Sequence, residues 1–498
     1  MNRRHFVQLP AAGLMAAGNS ASAIDVGGRK QLFIDRRFIA GSRGIRLAVQ
    51  PPRKAGVVLR GERPWEKGAF GYHSVADDGG TYKMWYNSTA SKGRSFHAYV
   101  TSRDGVEWTR PSLGVIEFEG SKDNNLVLQG SVEGAVYLDP AASPRQRFKA
   151  LAAAGGNRKS ILGTHSRGTL VLITSPDGIH WEQEYSVLPF MPDTQNNLFW
   201  DRRINKYVAY LRSWNPQRSV ARCEISKEDL FKEWPYTASA KPNYLWGRFP
   251  WGAAWPPAIS TELPTVLATD ERDDPHSDVY TPNVVEYSYA DDVYLAFPSM
   301  FRHTASPGSE KVPMAGPLDV HLAVSRDGIA WDRLDRSPYL GLGLDGEVDS
   351  QMLYLGLGML RRGNELYQYY AGYGSEHNTL PPKESALLLA VQRLDGFVAA
   401  VASYDGGELV TPPLRFQGGR LQLNIDTSAM GDAQVEMQSA VGVPLAGYEL
   451  RNCKRIVSNS VAFTVNWTNG PELTRLQETP VCMRIRMRGA RLFGFQFV

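Results

Sequence analysis

Three things are scarce in this chain of 498 residues: cysteine, an excess of either charge, and long apolar runs. Three cysteines are too few for a disulfide framework, and no Cys/His spacing indicates zinc. Cys453 and Cys482 lie in one region and are candidates for a single bridge, whereas Cys223 stands alone. A formal charge of +4 argues against a nucleic-acid partner, which needs a strongly basic face. No apolar run reaches about 18 residues, so we expect no membrane span.

Residues that form turns and carry rings are, by contrast, abundant. The chain holds 47 Gly, 31 Pro, 22 Tyr and 12 Trp, a mixture typical of many short strands joined by turns. Hydrophobic residues make up 43% and charged residues 21%, which excludes wholesale disorder. At roughly 100–200 residues per domain, the length allows two to four domains.

The N-terminus has the order of an export signal. Arg3 and Arg4 precede a mildly apolar stretch over residues 7–18, and small residues follow at 21–23. The arginine pair resembles a twin-arginine signal, which directs the export of a folded protein. We therefore predict a signal over residues 1–23 and a periplasmic or extracellular location. The alternative is an ordinary disordered terminus.

One short motif recurs along the body of the chain. Ser-x-Asp-Gly-x-x-Trp occurs at residues 102–108, 175–181 and 325–331, each time after an alternating strand pattern. The motif predicts a tight Asp-Gly turn in which Gly supplies a positive φ and Trp covers the hairpin. Asp104, Asp177 and Asp327 are therefore interpreted as turn formers. Degenerate copies lie near residues 220–234 and 386–396.

Two further strands precede each copy, so the pattern predicts five units of three or more strands. The first strands are predicted at 72–76, 135–138, 197–200, 283–287 and 352–360, and the second at 82–86, 147–151, 206–210, 293–297 and 366–370. Sheets that repeat radially close into a propeller, so five units over residues 24–396 predict five blades. A solenoid is the alternative, but its repeats are usually shorter and more regular.

The pattern changes after Gly396. Alternating segments at 414–416, 421–424, 434–437, 462–465, 481–488 and 492–495 are separated by Gly, Pro and Asn turns. This is typical of a β-sandwich, predicted over residues 397–498. The predicted fold class is all-β, a five-bladed β-propeller followed by a C-terminal β-sandwich.

The C-terminal motifs resemble a known family. Gly-Gly-Arg-Leu-Gln-Leu-Asn at 418–424, Gly-Val-Pro-Leu-Ala-Gly-Tyr at 442–448 and Ala-Arg-Leu-Phe-Gly-Phe at 490–495 are similar to the sandwich of the invertase and levanase clan, glycosyl hydrolase family 32. The resemblance implies a divergent five-bladed propeller glycoside hydrolase. The family's Asn-Asp-Pro-Asn-Gly, Arg-Asp-Pro and Glu-Cys motifs are absent, and Cys223-Glu224 has the reverse order. Fructan specificity therefore does not carry over with the fold.

A glycosidase needs two carboxyl groups across the scissile bond. In a propeller, residues that enter each innermost strand lie at the mouth of the central channel, and every predicted unit carries an acid there. The candidate catalytic residues are Glu66, Glu133, Asp193 and Asp349, with one as general acid and another as nucleophile or base. Glu347 lies beside the last of them. The alternative for each acid is a turn or cap residue, and Asp139 is interpreted as structural for that reason.

Sugar sites also need hydrogen-bonding groups and ring platforms. The predicted substrate-binding residues enter the first strands or follow the second strands, and they are His73, Asn196, Arg212, Trp214, Asp278, Arg302, His303 and His377. Each is otherwise a solvated loop residue. Trp246, Trp251 and Trp255 crowd an insertion and either wall the pocket or pack the loop.

These residues predict an exported glycosidase that acts on a terminal glycosyl unit, with furanosyl as one candidate class and a carbohydrate as its partner. Two rivals stay open. A glycoside phosphorylase would hold phosphate with Arg212, Arg302, His303 and His377. A carbohydrate-binding protein without catalysis would use the same mouth. No cofactor or metal is predicted, and calcium at the channel has no ligand motif to support it.

Overall fold

The structure is a computed structural model. It describes residues 22–68, 70–90, 93–130, 132, 134–154, 169–188, 192–214, 218–234, 263–304, 315–377, 379, 384–468, 470, 472–477 and 479–498. In these ranges the chain is nearly all β, as predicted, and the helices are short 3-10 turns at Pro64–Glu66, Pro144–Gln146, Leu450–Asn452 and Leu473–Leu476. None of the described helices has the length and hydropathy needed to cross a membrane. The predicted signal, up to residue 21, and Trp246, Trp251 and Trp255 lie outside the described residues.

Three antiparallel four-stranded sheets follow one another in the first half of the chain. The first contains Phe70–Asp78, Thr81–Thr89, Ser95–Ser102 and Leu126–Gln129; the second Tyr137–Leu138, Phe148–Ala154, Thr169–Ser175 and Gln183–Leu188; the third Asn197–Asp201, Lys206–Trp214, Arg218–Ile225 and Thr265–Leu267. Each strand pairs with the next along the chain. The strands predicted for these three units are confirmed, and each sheet gains a fourth strand at its outer edge.

The fourth predicted unit is divided between two sheets. One half of each of its strands, Ser277–Thr281, Ser299–Arg302 and Leu318–Val320, lies in an eight-stranded sheet. That sheet continues in the order Met352–Leu355, Glu365–Tyr373, Ser385–Arg393 and Arg53–Arg60, with Leu360–Arg362 on Glu365–Tyr373. The other halves, Val284–Glu286, Tyr294–Ala296 and Ala323–Ser325, form a three-stranded sheet. Pro298 lies at the break and has no N–H to donate to the ladder. A parallel bridge between Leu318 and Met352 joins the fourth unit to the fifth.

The first strands of the five units surround one axis. Backbone and side-chain hydrogen bonds or bridges join neighbouring units in a closed series: Ser74 to Val136, Gly134 to Asn196, Asn197 to Val284, Asn283 to Leu355, and Leu357 back to Ser74. Where these strands leave the axis they line a cavity of about 450 Å³. Its walls include Val75, Val136, Leu198, Val284 and Leu357, one residue from each unit. We call this the exit cavity.

The recurring turns hold each unit to the one before it. In the second copy, Ser175 Oγ accepts from the amide of Gly178 at 2.9 Å, and Asp177 Oδ1 accepts from the two amides that follow the glycine at 2.8 Å. The carbonyl of Gly178 then accepts from Trp85 Nε1 of the first unit at 2.7 Å. Gly328 and Gly105 accept in the same way from tyrosines of the preceding units.

The structure confirms that these aspartates form turns but changes the interpretation of the tryptophans. Trp108 packs edge-on against Tyr369 at 5.4 Å between ring centroids, and Trp331 against Tyr210 at 6.2 Å. These rings therefore cover the neighbouring unit rather than their own hairpin. A motif that looks local in sequence contributes mainly to the contact between sheets.

Two six-stranded sheets contain the C-terminal segments. One is ordered Ile24–Gly27, Leu414–Phe416, Val481–Arg488, Gly407–Val410 and Gly41–Arg43, with Asp432–Ser439 also on Val481–Arg488; the other is ordered Asn459–Thr464, Leu421–Asp426, Ala490–Phe497, Val398–Ala402 and Ile45–Val49, with Gln31–Leu32 on Ala490–Phe497. Alternation along Val481–Arg488 buries Met483, Ile485 and Met487 in a shared apolar core and turns the arginines outward.

The N-terminal strands are where the structure departs most from the sequence prediction. The predicted propeller boundary at residue 24 is corrected, because residues 24–49 pair with the C-terminal sheets. Arg53–Arg60 then closes the fifth unit by pairing with Ser385–Arg393. No local sequence pattern indicates that a strand will pair with another strand several hundred residues away. Cys223, Cys453 and Cys482 are all free and buried, so the candidate bridge does not form.

Candidate active site

The end of the axis opposite the exit cavity is the mouth, where the first strands begin. The loop before Asn197–Asp201 enters it with Asp193 and Thr194 at φ +62° and +68°. Such a backbone is uncommon, and for a β-branched residue it is an outlier that surrounding contacts must hold. Asn196 does so: its Nδ2 donates to the carbonyls of Asp193 and Thr194, at 3.2 and 3.1 Å, and its Oδ1 accepts from the amide of Arg212. Asn196 is therefore a positioning residue for the loop.

Asp193 presents a carboxylate to this mouth. Its side chain is 30% exposed, and its Oδ2 lies 3.1 Å from NH1 of Arg212, whose side chain is fully buried. Arg212 also donates from Nε to the carbonyl of Tyr280 at 3.1 Å, and its guanidinium carbon lies 4.5 Å from the centroid of the Tyr280 ring. Asp193, predicted as a catalytic acid, and Arg212, predicted as a substrate-binding residue, are thus in direct contact.

Three tyrosines from three different units line the same mouth. Tyr72 lies 5.7 Å from Tyr354, and Tyr280 lies 5.6 Å from Tyr354, measured between ring centroids. The hydroxyl of Tyr72 lies 3.1 Å from Oγ1 of Thr194. Burial, followed by the negative charge of nearby groups including Asp193, raises the pKa of Tyr72 well above its ordinary value. These phenols therefore stay protonated at neutral pH and present both a ring and a hydrogen-bond donor.

A buried ion pair supports the mouth from behind. Oδ2 of Asp278 lies 3.0 Å from NH1 of Arg218 and 3.1 Å from Nε2 of His303, and all three side chains are nearly inaccessible. Burial acts to raise the pKa of Asp278, but Arg218 and His303 outweigh it and hold the pKa below its ordinary value. The guanidinium carbon of Arg218 lies 5.2 Å from the Tyr280 centroid. Oδ1 of Asp278 has no hydrogen-bond partner within the described ranges.

His377 completes this group from the fifth unit. Its Nε2 lies 2.9 Å from the hydroxyl of Tyr280, and its ring packs against Tyr280 and Phe301 at 5.0 Å between centroids. The half-buried imidazole thus reaches the same tyrosine as Arg212 and Arg218. We call Tyr72, Asp193, Arg212, Arg218, Tyr280, Tyr354 and His377 the mouth cluster.

Two of the predicted catalytic acids are held elsewhere. Glu66 is fully buried, and it accepts from the Tyr86 hydroxyl at 2.6 Å and from Arg110 Nε at 2.9 Å. The backbone amides of residues 62 and 63 also donate to it. Asp349 accepts from Lys54 Nζ at 2.7 Å and from the Tyr370 hydroxyl at 2.9 Å. Among the described residues, the partners given for these carboxylates lie outside the mouth cluster: Glu66 is engaged through both oxygens and Asp349 through Oδ2.

Four predicted residues remain: the structure places the side chains of two of them and does not describe those of the other two. His73 is buried on its strand, and burial lowers the pKa of its imidazole to about 4. Arg302 is two-thirds exposed and pairs with Asp274 at 3.0 Å. Trp214 ends the strand Lys206–Trp214, but its side chain lies outside what the structure describes, and so does all of Glu133. In the described part of the chain no group of three His, Cys, Asp or Glu side chains is suited to a metal ion.

Sequence reasoning missed Arg218 and the three tyrosines. Tyr72, Tyr280 and Tyr354 each lie inside a first strand, where an aromatic residue reads as ordinary sheet core. Their recurrence at similar places in three units was the available signal. Arg218 begins a strand and carries no motif, so only the fold brings it to Asp278, which lies 60 residues further along the chain.

Neither protein-family models nor curated proteins match this chain. Solved structures do resemble it. An N-acetylgalactosamine deacetylase from F. plautii, in complex with blood group B trisaccharide, has 12% identity, 70% coverage of this chain, 96% coverage of its own and a TM-score of 0.44. An α-L-arabinofuranosidase from Podospora anserina in complex with cellotriose has 13% identity, 70% coverage of this chain, 98% coverage of its own and a TM-score of 0.42. A thermostable family-43 glycoside hydrolase has 12% identity, 70% coverage of this chain, 96% coverage of its own and a TM-score of 0.39. At these values the likeness assigns no activity to this chain.

Proposed function

We propose that the protein is an exported glycoside hydrolase that removes a terminal glycosyl unit from an oligo- or polysaccharide, with furanosyl units as the first class to test. The five strand units would form a five-bladed propeller and the C-terminal sheets a β-sandwich, as a divergent relative of the family 32 clan. One observation carries the proposal. A partly exposed carboxylate, Asp193, is held by a buried arginine beside three tyrosine rings, at the point where strands from all five units begin.

The charges of the mouth favour a neutral, hydroxyl-bearing ligand. Arg212 pairs with Asp193 and Arg218 pairs with Asp278, so the two cations are balanced by two carboxylates. Phenol hydroxyls and an imidazole add donors and acceptors of the kind that sugars need, and the rings supply platforms. The phosphorylase alternative is less well supported, because Arg302 faces solvent with Asp274 instead of joining the other predicted phosphate ligands.

Asp193 is the carboxylate we assign to the reaction. A carboxylate at the mouth in contact with a guanidinium has the place of a nucleophile, a base or a stabiliser of an oxocarbenium-like transition state. Asp278 is ionised but buried behind Arg218, so we assign it to positioning. The proton donor to the leaving group must then be a further carboxyl group.

We propose Glu133 as the general acid. This residue is outside the described ranges, so the assignment rests on its sequence position and on its neighbours. Val132 is buried and hydrogen-bonded to Asn87, and Gly134 forms a parallel bridge with Asn196, three residues after Asp193. The residue after Glu133 is therefore tied to the Asp193 loop, and the residue before it to the first unit. A glycosidase needs a second carboxyl group as its proton donor.

The test measures sugar release from oligosaccharides and aryl glycosides, with and without phosphate. Asp193→Asn is expected to abolish release from every substrate. Glu133→Gln is expected to abolish release from natural glycosides but to spare aryl glycosides whose leaving groups need no proton. Release that requires phosphate would move the protein to the phosphorylases. Release unaffected by Asp193→Asn would overturn the assignment.

A carbohydrate-binding protein without catalysis is the second candidate. The observation in its favour is that the first unit brings Tyr72 to the mouth, whereas the family it resembles has a nucleophile motif in its first unit. This candidate predicts that Asp193→Asn weakens sugar binding and that the wild-type protein releases no sugar from any substrate. Calorimetry beside the release assay separates the two.

A further inference from the structure

The outer face of one C-terminal sheet carries a row of polar side chains that crosses four strands. Register pairs Arg43 with Glu408, Glu408 with Arg486, and Arg486 with Gln434. Because residues opposite each other on paired strands point to the same face, these four side chains lie side by side. Arg43 and Arg486 are exposed. Two strand spacings, about 9.6 Å, separate them.

The charges along this face are unevenly compensated. Arg484 lies 2.8 Å from Glu408, and Arg455 lies 2.7 Å from Asp432. Arg486, by contrast, contacts the amide oxygen of Gln434. Within the described residues, neither Arg43 nor Arg486 has a carboxylate partner. The row therefore presents two guanidinium groups, of Arg43 and Arg486, that have no carboxylate partner of their own among the described residues. The Glu408 carboxylate lies between them, and the Gln434 amide lies beside Arg486.

The row lies in a shaped groove rather than on a flat surface. A depression of about 550 Å³ is lined by Arg43, Glu408, Asp432, Arg486 and Arg488. The connection after residue 402 forms one rim through Asp405, Gly406 and Gly407. On that connection, Tyr404 is 57% exposed, and its ring lies close to the backbone of Gly489.

We propose that this groove binds an acidic polysaccharide through the carboxylates of uronic acid residues. Arg43 and Arg486 would each receive a carboxylate in the fork geometry that guanidinium groups favour. Glu408, between the two arginines, and Gln434, beyond Arg486, would accept from sugar hydroxyls. This ligand class rests on the proposed function, which makes a carbohydrate the partner of the mouth.

The alternation of charge is what favours a uronide over other polyanions. A nucleic acid presents a phosphate at every step and requires a continuous basic surface. Glu408, Asp432 and Asp405 would repel such a chain. A polymer with both hydroxyls and carboxylates fits a face on which donors and acceptors alternate.

The test uses the full chain and polygalacturonate, with methyl-esterified polygalacturonate as the same backbone without charge. Polygalacturonate is expected to bind, and the esterified polymer to bind at least tenfold more weakly. Arg43→Gln/Arg486→Gln is expected to weaken polygalacturonate binding at least tenfold, with an unchanged melting temperature. The matched control is Arg46→Gln/Arg451→Gln, which removes two exposed arginines of the same unit and is expected to change binding less than twofold.

Three results would overturn the proposal. The first is equal loss of binding in the control variant, since net charge alone would then explain it. The second is equal binding of the esterified polymer. The third is binding of dextran sulfate or single-stranded DNA as tight as that of polygalacturonate and lost in the same double variant. Asp193→Asn is expected to leave polygalacturonate binding intact, so failure of the proposed catalysis and failure of this inference are distinguishable.

Discussion

The two ends of the central axis are made by the same strands and have opposite chemistry. The mouth brings together two ion pairs, three phenols and an imidazole. It also includes the loop on which Asp193 and Thr194 have left-handed backbone conformations. The exit cavity is lined mainly by apolar side chains such as Val75, Val136 and Leu198. Its ion pair, Arg202 with Glu286, lies at 3.3 Å with the arginine 58% exposed.

The difference teaches where specific chemistry is placed in this fold. Side chains in the middle of the strands are committed to packing between sheets, whereas the residues that enter each strand are free to vary. At the mouth, the strain of the Asp193 loop is held by Asn196 and Arg212, which indicates that its geometry is required. The exit cavity shows no comparable strain.

The largest expected effect separates the two ends by activity. Asp193→Asn is expected to lower the rate of sugar release by about 10²–10⁴-fold, because it removes the carboxylate that we propose meets the substrate. Asp77→Asn at the rim of the exit cavity is the matched control and is expected to change the rate less than threefold. Steady-state kinetics on one aryl glycoside measures both. Equal losses in the two variants would mean that the ends do not differ in function.

The second prediction compares the two ion pairs by stability. Arg218→Leu leaves a buried Asp278 without its cation, so we expect the free energy of unfolding to fall by about 3–5 kcal/mol. Arg202→Leu at the exit removes a pair whose arginine is 58% exposed and is expected to cost less than about 1 kcal/mol. Urea titration gives both values. Adding Asp278→Leu to Arg218→Leu should recover part of the loss, and a double variant as unstable as the single one would contradict the buried-pair explanation.

The third prediction concerns His73, on the first strand between the two ends. Burial lowers its pKa to about 4, whereas an unfolded chain has a value near 6.5, so the unfolded state binds more protons in between. Stability is therefore full above about pH 6.5 and falls by about 3 kcal/mol as the pH drops to 4. Urea titrations at several pH values should show a shallower fall for His73→Leu. His276→Gln, an exposed control, should keep the wild-type slope.

The smallest expected effect comes from one hydroxyl. Tyr280→Phe keeps the ring that packs on Arg212 and Tyr354 but removes the hydrogen bond to His377. Loss of about 1 kcal/mol should raise KM about fivefold and leave kcat nearly unchanged. Tyr137→Phe at the exit cavity should leave both constants unchanged. A fall in kcat for Tyr280→Phe would instead give the Tyr280–His377 pair a part in proton transfer.

Much of the strand pattern was readable from the sequence because it depends on local alternation. The segments predicted at 414–416 and 481–488 match the observed strands residue for residue, and all three strands of the first unit were found. The division of the fourth unit was not predicted, because one proline between otherwise regular strands does not show which sheet will receive each half. The joining of residues 24–49 to the C-terminal sheets depends on contacts that leave no local trace.

The candidate site was predicted in part for the same reason. Asp193, Arg212 and His377 were found because they occupy equivalent places in a repeat. Glu66 and Asp349 satisfied the same positional rule, but their burial and their partners depend on neighbouring sheets. Position along a repeat therefore predicts where a side chain can be, and only three-dimensional contacts decide whether it is already engaged.

The N-terminal strands of the chain pair with strands near the C-terminus, and this has a consequence for folding during synthesis. Ile24–Gly27 pairs with Leu414–Phe416, and Arg53–Arg60 with Ser385–Arg393. At about 5–20 residues per second, a ribosome needs roughly 20–80 s to reach these partners after making the first strands. During that interval the early strands carry unpaired edges that invite association with other chains. The two pairings can therefore form only after residues 385–416 have been synthesised, late in the translation of the chain.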